Sequence, residues 1–229
     1  MGAKLFGAIG SLGAAATSGG MYLAFSGDKE ATTSVSELFQ KEKGWKLMTA
    51  SDDSKWNEAW EKYKNDHKNN GTYLDKDKWG LSNWKSKRDG SEAFLEFKQE
   101  CEKRTKVAVK DTTSQEYQDV KQYCARPKKV SELLTETTSK TLLDKNGDTE
   151  AWNASWDKYK QEHLVSSSGN TVAYKNPDKW GITGWGAVDT LGVLQGYKDK
   201  CEEKWNSHID PEKLTEDETF KEVLSSCTK

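Results

Sequence analysis

The chain has 229 residues, 34% of them hydrophobic and 31% charged, with 35 basic and 37 acidic side chains that leave a net charge of -2. That apolar share is well below the usual ~45–50%, so any core must be small. Ten tryptophans nevertheless argue against disorder, because each can withdraw roughly 150–250 Å² from water. The two signs of charge are interleaved, and the cluster Arg126 to Lys129 is diluted by carboxylates; no nucleic-acid partner is expected, since no basic stripe exists to displace phosphate counterions.

From the N-terminus, Leu5 to Gly27 carries no charged residue and follows Lys4. Roughly 20 such residues suffice for a membrane helix, and the flanking lysine predicts an inside N-terminus. The expectation is therefore a signal anchor over residues 1–30 that contacts the membrane through 5–27. This implies a single-pass cell-membrane protein whose C-terminal part is extracellular. Ala14-Ala15-Ala16 supplies a signal-peptidase site, so cleavage and secretion is the alternative, and a soluble cytoplasmic helix is a third. No cysteine precedes Cys101, which excludes an N-terminal lipid-modified cysteine.

The rest of the chain repeats itself. Val35-Ser36-Glu37-Leu38 recurs as Val130-Ser131-Glu132-Leu133, and the segment Trp56 to Lys64 recurs as Trp152 to Lys160. Asp77-Lys78-Trp79-Gly80 with Trp84 recurs as Asp178-Lys179-Trp180-Gly181 with Trp185. The separation between matched positions grows only from 95 to 103 residues, which small loop insertions explain. A repeat of this kind divides the chain into one unit over 31–127 and a second over 128–229.

Each unit reads as three to four helices. Trp56, Ala59, Trp60, Tyr63 and His67 lie along one helical stripe, repeated by Trp152, Trp156, Tyr159 and His163. Ser51-Asp52-Asp53 is placed to cap the start of that helix and Asn69-Asn70-Gly71 to end it. Further helices are expected over 91–110 and 114–124. Val107-Ala108-Val109 is the best strand candidate, too short to support a sheet. The predicted fold is thus all-α: a membrane helix followed by two tandem helical units. Their aromatic core is Trp56, Trp60, Tyr63, Trp79, Trp84, Trp152, Trp156, Tyr159, Trp180 and Trp185. The loop residues Trp79 and Trp180 are expected to fold back and plug the end of each bundle rather than to present a ligand site.

Two cysteines stand at equivalent positions in each unit. Pairing Cys101 with Cys124 and Cys201 with Cys227 respects the duplication and would staple units with little core; buried thiols used as small apolar side chains are the alternative. No metal site is expected, because His67, His163 and His208 are scattered and no Cys/His pair has ligand spacing. Asp144 to Glu150 begins like a calcium loop. It has Thr149 where a tight turn needs glycine and Ser155 where a bidentate glutamate should close the site, so it reads as a turn before a helix. His67 and His163 read as helix-end histidines facing the C-terminal dipole. No catalytic or cofactor-binding residue emerges, and an enzyme is not expected; an uncharacterised hydrolase is the weakest reading.

The glycine- and alanine-rich start, the Trp-x3-Trp-x2-Tyr helix, the Lys-Trp-Gly loop and the paired late cysteines together resemble the paralogous families of uncharacterised surface proteins in haemotropic mycoplasmas. The resemblance spans the whole chain and brings no functional residue with it. It implies a surface-exposed, non-enzymatic interaction protein concerned with host-cell contact or immune variation, its ligand on the host surface or another protein.

Overall fold

A capping box opens the described fold: Ser34 Oγ accepts the Glu37 N–H at 3.3 Å and Glu37 accepts the Ser34 N–H at 3.2 Å, which sets the first helix in motion. The computed structural model describes residues 31–168, 171–186 and 192–229. In chain order, β1 (Thr33–Ser34) leads into α1 (Val35–Phe39), β2 (Trp45–Leu47) and the long α2 (Asp53–Asp66). The hairpin β3 (Lys68–Asn69) and β4 (Thr72–Tyr73) follows, then α3 (Trp84–Lys87), α4 (Leu95–Thr105), β5 (Ala108–Val109), α5 (Gln115–Cys124) and β6 (Ala125–Pro127). The second half has α6 (Val130–Thr137), α7 (Thr149–Glu162), the hairpin β7 (Leu164–Ser168) and β8 (Thr171–Tyr174), α8 (Gln195–Asn206), a 3-10 turn (Leu214–Glu216) and α9 (Glu218–Ser226).

The all-α expectation is corrected here. The described residues are 48% helix and 14% strand, so the fold is mixed α/β. Four two-stranded antiparallel sheets join β1 to β5, β2 to β6, β3 to β4, and β7 to β8. Val107-Ala108-Val109 does find a partner, because Ala108 and Val109 pair with Ser34 and Thr33. Asn70 and Gly71 do more than end a helix: both have positive φ, 49° and 80°, the geometry of a two-residue hairpin turn. The expected helix over 91–110 is shorter, Leu95–Thr105, because the Ala93 N–H is held by Asn57 Oδ1 at 2.9 Å outside the helical ladder. Asp52 does not cap α2 with its side chain; its carboxylate is turned toward Thr49 and Arg126.

Single-pass membrane placement is also corrected. No helix among the described residues is long and apolar enough to cross a membrane, and the segment 5–27, on which that reading rested, lies outside them. The two disulfides are compatible with an extracellular or secreted protein.

Buried apolar side chains fall into two clusters, one drawn from Val35 to Ala125 and the other from Val130 to Cys227. All ten aromatics read from the repeat are buried in them. Ring packing repeats as well: Trp60 meets Trp84 edge-on at 5.9 Å and Trp156 meets Trp185 edge-on at 5.8 Å. Such pairs add stabilisation beyond the area they bury.

Candidate functional site

The side chains with the most chemical potential converge at the end of α2 and again at the end of α7. Tyr63 lies on the buried stripe of α2, and its hydroxyl donates to Asp77 Oδ2 at 2.5 Å while accepting the Trp79 N–H at 3.0 Å. Asp77 also accepts the Leu81 N–H at 3.0 Å. His67 Nδ1 donates to the Tyr63 carbonyl at 2.7 Å, and Nε2 accepts the Lys78 N–H at 2.8 Å. The second half repeats every contact. Tyr159 donates to Asp178 at 2.6 Å and accepts from Trp180 at 3.0 Å, Asp178 accepts from Ile182 at 2.8 Å, and His163 takes the Lys179 N–H at 3.0 Å.

These partners explain the Asp-Lys-Trp-Gly segment residue by residue. The aspartate gathers backbone N–H groups that burial would otherwise leave unpaired. The lysine reaches the last helix, Lys78 to Asp119 at 2.5 Å and Lys179 to Glu222 at 2.6 Å. The tryptophan fills the core end beneath a cation from α4 in the first repeat and α8 in the second, Arg104 at 4.7 Å from the Trp79 ring and Lys204 at 5.0 Å from Trp180. Gly80 and Gly181 have φ of 67° and 64°, a left-handed conformation costly for any residue with a Cβ. Burial first, and then the neighbouring aspartate, push the Tyr63 and Tyr159 hydroxyls far above the ordinary tyrosine range, so both stay protonated donors. Each histidine nitrogen already has a backbone partner, and the Tyr–Asp–His set therefore holds a loop in place.

The cysteines pair within each repeat, Cys101 with Cys124 and Cys201 with Cys227. The bridges span 23 and 26 residues, for which closing the unfolded chain is worth about 3 kcal/mol each. The Asp144 segment is a turn: Asp144 Oδ1 accepts the Asn146 N–H at 3.0 Å, its N–H reaches Asp148 at 2.9 Å, and its carbonyl takes the Trp152 indole at 2.7 Å. No group of three or more His, Cys, Asp or Glu able to hold a metal ion occurs among the described residues.

A joint between the halves escapes the sequence-based expectations. β6 pairs with β2 and runs directly into α6, so Arg126 is placed between the repeats. Its guanidinium donates to Asp52 at 2.6 Å and to both oxygens of Glu132 at 2.7 and 2.9 Å. Lys46 adds a further contact to Glu132 at 2.9 Å, and Arg126 and Asp52 are both buried. Burial favours protonation of Asp52 and Glu132, yet hydrogen bonds from Arg126 and from backbone N–H groups outweigh it and hold both below the ordinary carboxylate range. Glu132 is already visible in sequence as half of the Val-Ser-Glu-Leu match, but Arg126 carries no signal beyond a short basic cluster.

Beside the joint runs a cleft with two lobes of about 460 and 480 Å³. Lys41, Glu42, Lys43 and Leu214 line both lobes, with Trp45 in the first and Leu133 in the second. Leu214 has φ of 52°, strained for a bulky side chain. Clefts between packed units are preferred places for ligands. No protein-family model, no curated protein and no solved structure matches the chain.

Proposed function

We propose that the chain works outside the cytoplasm as a secreted, disulfide-stapled, non-enzymatic binding module that engages a protein ligand through the cleft between its repeats. The observation that carries this reading is the pair of disulfides at equivalent positions, Cys101–Cys124 and Cys201–Cys227, because such bridges persist in oxidising compartments and are rare in the cytosol. Several features support it. The buried Tyr–Asp–His groups are saturated by loop contacts, which leaves the outer surface to act. The cleft combines apolar Trp45, Leu133 and Leu214 with Lys41, Glu42 and Lys43, a mixture of apolar and charged groups of both signs suited to a protein segment. Host-cell contact, or variation of a surface seen by the immune system, is the role in keeping with the resemblance to haemotropic mycoplasma surface families.

The test labels intact cells and their medium with a membrane-impermeant amine reagent and maps cysteine pairing without reduction. Labelled protein with both within-repeat bridges is the expected result. Protein recovered unlabelled from the cytosolic fraction with free thiols overturns the proposal.

A further inference from the structure

The register of β2 against β6 fixes which way the backbone of β2 points. Gly44 accepts the Lys128 N–H at 2.9 Å and Cys124 accepts the Met48 N–H at 3.0 Å, and Lys46 stands opposite Arg126 between them. The residues bonded to β6 are therefore Gly44, Lys46 and Met48. In an antiparallel pair such residues alternate with others whose N–H and C=O groups turn to the opposite side, and here these are Trp45 and Leu47. Pro127 faces Trp45, as suits a position where the ladder needs no N–H. No backbone or side-chain group among the described residues pairs with the main chain of Trp45 or Leu47.

A slot of about 330 Å³ lies along that outer edge. It touches Trp45 and Leu47, whose side chains share one face of the strand, and also Lys46 from the other face, but none of the residues of β6; a cavity reaching both faces of β2 and not its partner sits at the free edge. Phe39 and Gln40 at the end of α1 form one wall, and Lys128 with Glu136 of α6 forms the other. Gln40, Lys128 and Glu136 also line the second lobe of the cleft, so slot and cleft are continuous. Its charges are already matched: Lys46 binds Glu132 at 2.9 Å and Lys128 binds Glu136 at 2.5 Å.

We infer that the outer edge of β2 takes an extended, uncharged polypeptide segment of the ligand as a third strand, bonded to the N–H and C=O groups of Trp45 and Leu47. The inference rests on the reading of the cleft as a protein-binding site and says how the ligand is held. Main-chain bonds of this kind supply affinity, and the walls on either side select alternate side chains. Side chains of the added strand on the Trp45 and Leu47 face meet Phe39 and are apolar. Those between them meet the Lys128–Glu136 side and are polar and neutral, because both lysines of the slot already have carboxylates. Binding therefore changes little with salt.

The probe is a library of random peptides displayed on phage and selected on the full-length chain. In the free chain the Trp45 and Leu47 amides are expected to exchange rapidly and the Lys46 amide slowly; the selected peptide, made synthetically, slows the first two. Methylating its backbone nitrogens one at a time lowers affinity about tenfold or more at every second residue and little between, a period that a pocket for side chains alone does not give. Leu47→Pro, which removes one outward N–H, weakens binding by a similar factor while Lys46 stays protected; the methyl scan keeps the test open if that variant unfolds. A peptide that binds without slowing either amide, or a scan without the two-residue period, overturns the inference and leaves the cleft as a binding site of another kind. A library that yields no binder overturns it as well, and so do Trp45 and Leu47 amides already protected in the free chain, where the chain itself or a second copy fills the edge. Failure of the secreted reading shows separately, as cytosolic protein with free thiols.

Discussion

Replacing Tyr63 by Phe removes one hydroxyl whose every contact is known. That hydroxyl donates to Asp77 at 2.5 Å and accepts from Trp79 at 3.0 Å. After the change the Trp79 N–H keeps Asp77 at 3.1 Å and the carboxylate keeps the Leu81 N–H at 3.0 Å, so no buried group is orphaned. The loss is then one hydrogen bond to a charged group, about 2 kcal/mol. Tyr159→Phe has the same arithmetic, because Trp180 keeps Asp178 at 2.9 Å and Ile182 keeps it at 2.8 Å. For a protein of this size each substitution lowers Tm by about 4–8 °C, and the double variant loses the sum, since the two sites share no partner. Urea unfolding followed by tryptophan fluorescence and far-ultraviolet circular dichroism gives the values. A single variant costing less than about 0.5 kcal/mol, or two singles differing by more than about 1.5 kcal/mol, would refute the equivalence of the two networks.

Asp77→Ala is expected to cost at least about 3 kcal/mol, more than Tyr63→Phe, because it strips the Tyr63 hydroxyl and Leu81 N–H of their acceptor; the same denaturation assay ranks the two. Acidification destabilises the joint. Asp52 and Glu132 have folded-state values held below their unfolded ones, so their contribution is complete above about pH 5 and is lost as pH falls through the depressed values. Urea midpoints measured from neutral to acid pH should fall, and Glu132→Gln should flatten the curve. Gly44→Ala drives a Cβ to 2.5 Å from the Pro211 carbonyl oxygen and 2.9 Å from its Cα, a backbone clash expected to cost about 1–3 kcal/mol and to raise proteolysis between the repeats. Replacing Cys201 and Cys227 by Ser should cost about 3 kcal/mol, read from the urea midpoint and unchanged by added reductant if the remaining Cys101–Cys124 bridge is protected.

The long aromatic helices were legible because Trp56, Trp60 and Tyr63 and their partners Trp152, Trp156 and Tyr159 repeat at helical spacing, and duplication amplifies that signal. The sheets were not. Strands of two or three residues, such as Thr33–Ser34 or Trp45–Leu47, are too short to show an alternating pattern. The hairpin at Asn70-Gly71 did carry a turn signature, but its flanking strands are only two residues each. Asn69-Asn70-Gly71 therefore read as the end of a helix. Asp77 and Asp178 were visible as repeated residues, but their task of gathering loop N–H groups depends on the tyrosine 14 and 19 residues earlier. The joint was hidden for the same reason on a larger scale, because Arg126 meets Asp52 across 74 residues of sequence.

Amide hydrogen exchange on the full chain tests most directly that one module is built twice around a buried tyrosine–aspartate clasp. The Trp79, Leu81, Trp180 and Ile182 amides lie in short loops, where exchange would ordinarily be fast, yet each is held by a buried carboxylate. Strong and similar protection of all four is the predicted result. Rapid exchange at either pair, with the neighbouring helices still protected, contradicts the account.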